Sequence, residues 1–121
     1  MYDHFGFKVK NLGAAIRFYE AVLGALGHEL CCQDEASAGF GPKGEPALWL
    51  YVAGGPVGPG VHVAFNATGH GAVDRFHAAG LAAGGADNGA PGLRADYSPT
   101  YYTAFLIDPD GNNVEAVCLS V

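Results

Sequence analysis

The sequence predicts an α+β fold in which one βαβββ unit is used twice. Two observations carry this prediction. First, His4-Phe5-Gly6-Phe7 with Arg17-Phe18 is repeated as His62-Val63-Ala64-Phe65 with Arg75-Phe76, every matched residue being displaced by the same 58 positions. A fixed internal offset marks one supersecondary unit present in copies. Second, after each histidine the apolar pattern switches from alternation to helical spacing, the signature of a strand entering a helix.

The elements follow in order. Residues 3–10 alternate, with Phe5, Phe7 and Val9 on one face and His4, Gly6 and Lys8 on the other. Asn11 offers a helix N-cap, because its side-chain oxygen can accept from the unpaired N–H groups of the first turn. Leu12, Ile16, Tyr19, Leu23 and Leu26 form an apolar stripe, and Gly24 and Gly27 sit where that helix ends. Strands are expected at 28–33, 37–41 and 46–53. The Gly- and Pro-rich run that follows reads as a linker. Module 1 therefore covers about 1–54, the linker 55–60 and module 2 about 61–121, all within one domain. In module 2, Val61, Val63 and Phe65 alternate with His62, Ala64 and Asn66. Thr68 is the expected cap of a helix whose Val73, Phe76 and Ala79 share a face. Residues 84–99 read as a loose stretch, so the strand expected before Tyr101 carries little pattern of its own. Strands at 101–107 and 112–119 close the chain around Asp108-Pro109-Asp110-Gly111, whose Pro and Gly suit a type I turn.

Composition narrows the function classes. The 121-residue chain is 50% hydrophobic, enough for a core shared by both copies. Its net charge of −6, with six scattered Lys and Arg, argues against nucleic acid, which needs a basic face. No apolar run approaches the roughly 20 residues of a membrane span, and the N-terminus lacks a signal-peptide pattern. Cys31, Cys32 and Cys118 are an odd number without metal-site spacing, and they read as reduced thiols in a cytoplasmic protein. Cys31 and Cys32, neighbours on a strand, are expected on opposite faces.

Strand parity sets His4 and His62 opposite the helix-packed faces, and sets Glu115 with Asn113 and Val117 away from Val114, Ala116 and Cys118. If both sheets curl alike, His4, His62 and Glu115 converge. Two imidazoles and a carboxylate leave coordination positions open for water and substrate. Singly, each residue has a plainer reading as a hydrogen-bonded or solvated side chain; the equivalence of the histidines in the repeat lifts ligation above it. His28, His70 and His77 lack that support and are expected at the surface.

The opening Asp3-His4-Phe5-Gly6 leading into Phe18-Tyr19-Glu20-Ala21-Val22-Leu23-Gly24 resembles that of the vicinal oxygen chelate superfamily. The closing segment, from Phe105-Leu106-Ile107-Asp108-Pro109-Asp110-Gly111 to Asn112-Asn113-Val114-Glu115, resembles the same group. It includes glyoxalases, bleomycin resistance proteins and extradiol dioxygenases. The resemblance covers essentially the whole chain. It implies curved mixed sheets around a metal-containing cavity, with His4, His62 and Glu115 on the ligand positions of one divalent ion (Fe, Mn, Ni, Co or Zn). It also implies a small oxygen-chelating substrate, and relatives commonly pair, so a homodimer fits. Individual members each lack a match. The fourth ligand of glyoxalase I, a Glu, falls on Trp49; the tyrosine of extradiol dioxygenases falls on Phe105. Bleomycin-binding relatives lack the metal ligands that this chain retains. Lyase or isomerase chemistry is thus favoured over oxygen insertion, with dioxygenase and non-catalytic binding as alternatives. Glu115 is the candidate catalytic base, by leaving the ion. Arg94 and Tyr97, where a lid would lie, together with Tyr101, Phe105 and Trp49, are the candidate substrate contacts.

Overall fold

The computed structural model describes residues 1–55, 57 and 60–121, so the predicted linker lies partly outside the described residues. The first module runs β1 (Phe5–Val9), α1 (Leu12–Ala25), β2 (Glu29–Gln33), β3 (Ser37–Gly41) and β4 (Leu48–Val52). The second runs β5 (His62–Asn66), α2 (His70–Ala82), β6 (Ala86–Leu93), β7 (Tyr102–Ile107) and β8 (Asn113–Cys118). Each builds a four-stranded mixed sheet, ordered β1-β4-β3-β2 and β5-β8-β7-β6, in which only the first pair is parallel. The expected βαβββ repeat is therefore present.

Register extends the repeat to the strands that lack sequence similarity. Gly6 of β1 lies beside Trp49 of β4, and Ala64 of β5 lies beside Glu115 of β8. Gly6 and Ala64 are repeat equivalents, so Trp49 and Glu115 occupy matching places on the two sheets.

Asn11 caps α1 as expected, accepting from the Ala14 N–H at 3.0 Å. The buried stripe of α1 is rotated from the predicted one: Ala15, Phe18, Tyr19, Val22 and Leu23 are buried, whereas Leu12, Ile16 and Leu26 are half-buried. The cause is tertiary, since α1 packs on α2 and the second module as well as on its own sheet. Gly80 of α2 makes the helix approach close. A Cβ there would fall 2.2 Å from Leu106 Cδ1 and 2.9 Å from Val22 Cγ1. Gly80→Ala should therefore cost about 1–3 kcal/mol through overpacking, despite the better helix propensity of Ala. Thermal denaturation of the variant checks this; an unchanged or raised melting temperature would contradict the packing.

Four expectations are corrected. The N-cap of α2 is Gly69, with no side-chain bond; Thr68 lies one residue too early, because the helix begins at His70. The stretch read as loose contains β6, an edge strand with two register shifts. Pro91 is tolerated at that edge, and Gly89, at φ +155, passes where a Cβ would lie 2.9 Å from Phe105. Cys31 falls at a bulge in β2, so simple alternation does not apply to it, although all three cysteines are free. The three histidines expected at the surface are half-buried: His77 pairs with Asp87 at 2.8 Å, His70 stacks on Tyr102 at 3.9 Å, and His28 borders a half-open apolar pocket.

The closing turn ties the modules together. Asp108 is buried, and its Oδ1 accepts the Asp110 and Asn112 N–H groups at 2.9 and 2.8 Å. Its Oδ2 accepts the Tyr19 hydroxyl from α1 and the Asn112 amide. Burial, followed by the charge of Asp108, pushes the Tyr19 phenol far up, so it remains a neutral donor. Asn112 Oδ1 in turn accepts the Val61 N–H at 2.9 Å, and Asp110 Oδ1 accepts the Lys10 N–H at 2.7 Å. Among the described residues, no helix is long and apolar enough to cross a membrane.

Candidate functional site

The second sheet holds a polar cluster around Glu115. Glu115 is 2% exposed on β8, flanked by Ala64 of β5 and Phe105 of β7. A buried carboxylate needs partners. The Tyr101 hydroxyl donates to its Oε2 at 2.6 Å, and the buried Thr103 hydroxyl lies 2.7 Å from the same oxygen. Thr103 Oγ1 is also 2.9 Å from the Ala116 carbonyl, but the charged acceptor makes the stronger bond. The hydrogen bond to Glu115, with some desolvation, pushes the Tyr101 phenol up to about 12, so it serves as a proton donor throughout the neutral range.

Oε1 of Glu115 faces His62 Nε2 at 3.1 Å. The other ring nitrogen of His62, Nδ1, lies 3.3 Å from the Asn113 carbonyl. A carbonyl can only accept, so Nδ1 carries the hydrogen. In the neutral ring Nε2 then turns a lone pair toward a carboxylate oxygen, which is repulsive unless a proton or a cation lies between them. Backbone-anchored Nδ1–H with a free Nε2 is also how metal-binding histidines are commonly oriented. These two residues fit a divalent ion.

Around this pair stand four of the five predicted substrate contacts. The His62 ring lies over Phe105 with centroids 6.3 Å apart, and the Arg94 guanidinium sits 5.8 Å from the same Phe105 ring. Arg94 is held by a 2.9 Å bond to the Ala90 carbonyl, and Tyr97 packs edge-on against Tyr101 at 4.9 Å. Arg94 and Tyr97 lie in the short connection between β6 and β7 rather than in a long lid. Trp49 is not part of this group; it stacks on Tyr51 of the first sheet at 6.4 Å.

His4 also stands apart. Its Nδ1 bonds Asp3 Oδ1 at 2.6 Å at an exposed position, and among the described residues no three His, Cys, Asp or Glu side chains are gathered to hold an ion. The expected convergence is thus formed for His62 and Glu115 and not for His4, whose ring has a closer acidic partner next to it in the chain. Tyr2 and Phe5, on either side of His4, nevertheless border the same surface cleft of about 320 Å³ as His62, Val63 and Ala64.

Thr103 and Asn113 were not singled out as site residues. Thr103 shares strand parity with Tyr101 and Phe105, and Asn113 shares that of Glu115, so alternation was the available signal. Tyr101→Phe should remove one of the bonds orienting Glu115; for a pair that holds a divalent ion, this weakens ion binding about 10- to 100-fold, the usual cost of losing a supporting partner. Competition with a metallochromic chelator measures this, and an unchanged affinity would assign Tyr101 to packing alone.

The fold and this carboxylate–imidazole cluster define a paired-module βαβββ protein with a polar centre on one sheet. A solved glyoxalase/bleomycin resistance protein from Albidiferax ferrireducens is 31% identical over 98% of both chains, with a TM-score of 0.86. The chain therefore belongs to the glyoxalase/bleomycin resistance protein family, consistent with the vicinal oxygen chelate superfamily. Two more distant structures share the fold. One is a glyoxalase/bleomycin resistance protein/dioxygenase family enzyme from Burkholderia phytofirmans, 18% identical over 98% of each chain, with a TM-score of 0.75. The other is a glyoxalase I mutant from Zea mays, 22% identical, which covers 96% of this chain and 46% of its own, with a TM-score of 0.72. No family profile and no curated protein matches the chain.

Proposed function

We propose that this protein is a metal-dependent enzyme acting on a small oxygen-chelating substrate by lyase- or isomerase-type chemistry. The observation that carries the proposal is the His62–Glu115 pair, in which an anchored imidazole presents Nε2 to a buried carboxylate. His62 and Glu115, with His4, would hold one divalent ion, of Fe, Mn, Ni, Co or Zn. Such an ion supplies Lewis acidity toward two adjacent substrate oxygens.

The chain's own side chains do the rest. Oε1 of Glu115, the oxygen free of hydroxyl partners, would take a substrate proton on leaving the ion. Tyr101 and Thr103 hold Oε2 and keep the carboxylate aimed at His62. Arg94 offers a positive charge to an anionic substrate group, and Phe105 and Tyr97 line an apolar wall. The side chain opposite Glu115 across the β7–β8 pair is Phe105, which has no hydroxyl, and this favours lyase or isomerase chemistry over the dioxygenase alternative. The free thiols of Cys31, Cys32 and Cys118 support a cytoplasmic setting.

Completing the centre requires His4 to exchange its Asp3 bond for the ion. The position of Tyr2 and Phe5 beside the His62 cleft supports closure within one chain. Delivery of His4 by a second copy in a homodimer is the other route. Mixing His4→Ala with His62→Ala protein separates them, since ion binding returns in the mixture only if the centre crosses an interface. The enzyme assignment itself is tested by elemental analysis of protein purified without chelator. It is paired with a panel of α-ketoaldehyde–thiol adducts, catechols and fosfomycin, assayed aerobically and anaerobically. A stoichiometric ion lost on His62→Ala, with turnover of a panel member, is expected. The Asp3-bound state of His4 favours a non-catalytic binding protein as second reading, and small-molecule binding without ion or turnover would establish that instead.

A further inference from the structure

We propose that Arg94 is a preformed carboxylate receptor, so that the substrate is a small carboxylic acid whose carboxylate binds across Phe105 from His62 and Glu115. This deepens the function proposed above and rests on its reading of that pair as the reacting centre. Of the six Lys and Arg side chains, Arg94 alone is not exposed. Yet among the described residues no Asp or Glu pairs with it. A partly desolvated guanidinium without an acidic partner favours an anion supplied from outside.

The receptor is held in place. The Arg94 N–H donates to the Tyr101 carbonyl at 2.8 Å, and the Arg94 carbonyl accepts the Tyr97 N–H at 2.9 Å. Nη2 donates to the Ala90 carbonyl at 2.9 Å. Two glycines of β6 leave the guanidinium its seat: a Cβ on Gly92 would lie 3.2 Å from Nη1, and one on Gly89 3.3 Å from Nη2. Asp87 Oδ1 accepts the Gly89 N–H at 3.0 Å and lies 2.8 Å from His77 Nε2, which ties this irregular edge to α2. Register sets Ala64, Glu115, Phe105 and Gly89 in one row across β5, β8, β7 and β6. Phe105 therefore stands between the guanidinium and the His62–Glu115 pair.

The open nitrogens select the ligand. Nε and Nη1 have no acceptor among the described residues, and neither is sealed from solvent. The second Nη2 hydrogen, with that of Nε or Nη1, forms a fork that matches the two oxygens of a carboxylate. A phosphate carries nearly two charges, and this single cation would leave one unmatched.

The test titrates chelator-treated protein with benzoate and, separately, with benzamide, followed by NMR of the Arg94 Nε–H and the Phe105 ring. Benzoate should bind saturably and at least about tenfold tighter, since charge-assisted bonds carry the difference. Arg94→Gln should lose that preference. Arg94→Lys should lose most of it, because an ammonium keeps the charge and not the fork. Gly92→Ala should weaken benzoate severalfold by pushing Nη1 off its seat, with the melting temperature as the check on folding. Arg75→Gln removes an exposed charge on α2 and should bind benzoate as the parent does. Equal affinity for the two probes, a preference surviving in Arg94→Gln, or unaltered benzoate binding in Gly92→Ala would overturn the proposal. With no ion present, benzoate reports on Arg94 alone, whereas failure to bind an ion strikes only the His62–Glu115 reading.

Discussion

Glu115→Gln should lower divalent-ion affinity by more than about 100-fold, because even a supporting residue one bond further out is worth about 10- to 100-fold. The substitution keeps shape and burial. Gln retains an acceptor for Tyr101 or Thr103, so the fold should persist and its melting temperature serves as the control. What is removed is the negative charge opposite His62 Nε2, 3.1 Å away. Without it, nothing at that position calls for a cation between the two residues. Turnover of any substrate found in the panel should fall at least as far, since the same oxygen is the assigned proton acceptor. Protein carrying Glu115→Gln that still purified with one ion per chain, at unchanged affinity, would remove the basis of the proposed function.

A second large effect is expected far from that centre. Asp108→Ala should destabilise the chain by about 3–5 kcal/mol, the range for losing one member of a buried polar network. Four donors lose their acceptor at once: the Tyr19 hydroxyl, the Asn112 amide and two backbone N–H groups of the turn. For a chain of this size the melting temperature should drop by roughly 10–20 °C. Tyr19→Phe should cost less, about 1–2 kcal/mol, because Asp108 keeps three of its donors. The double variant should be little worse than Asp108→Ala alone, since the two residues share one interaction. A melting temperature for Asp108→Ala within a degree or two of the parent would show that the turn does not join the modules.

These expectations also mark where sequence was legible. The 58-residue offset located both modules, and the register later placed Trp49 and Glu115 in equivalent positions on β4 and β8. Asn11 capped α1 because an N-cap is a contact between residues three apart, which local sequence can encode. That His62 and Glu115 lie away from the helix-packed faces was anticipated from strand parity, which alternation carries without knowledge of the fold; their meeting is not carried by parity. By contrast, β6 was expected from the repeat but its place was not legible. Its Gly89, Pro91 and Gly92 contradict strand propensity, and only pairing with β7 at the sheet edge makes the segment extended. The rotated stripe of α1 was hidden as well, because the second module claims Phe18 and Val22.

What the amino-acid order determined alone was local and periodic: a repeated strand–helix unit, the faces of its strands, and the chemical identity of the residues set on them. Tertiary structure alone decided which of those residues meet. It buried Asp108 under Tyr19 from the other module, set the Tyr101 and Thr103 hydroxyls on Glu115, and left His4 with Asp3. The physical reason is that periodicity specifies direction from a strand, whereas distance between strands depends on register and packing across the whole core.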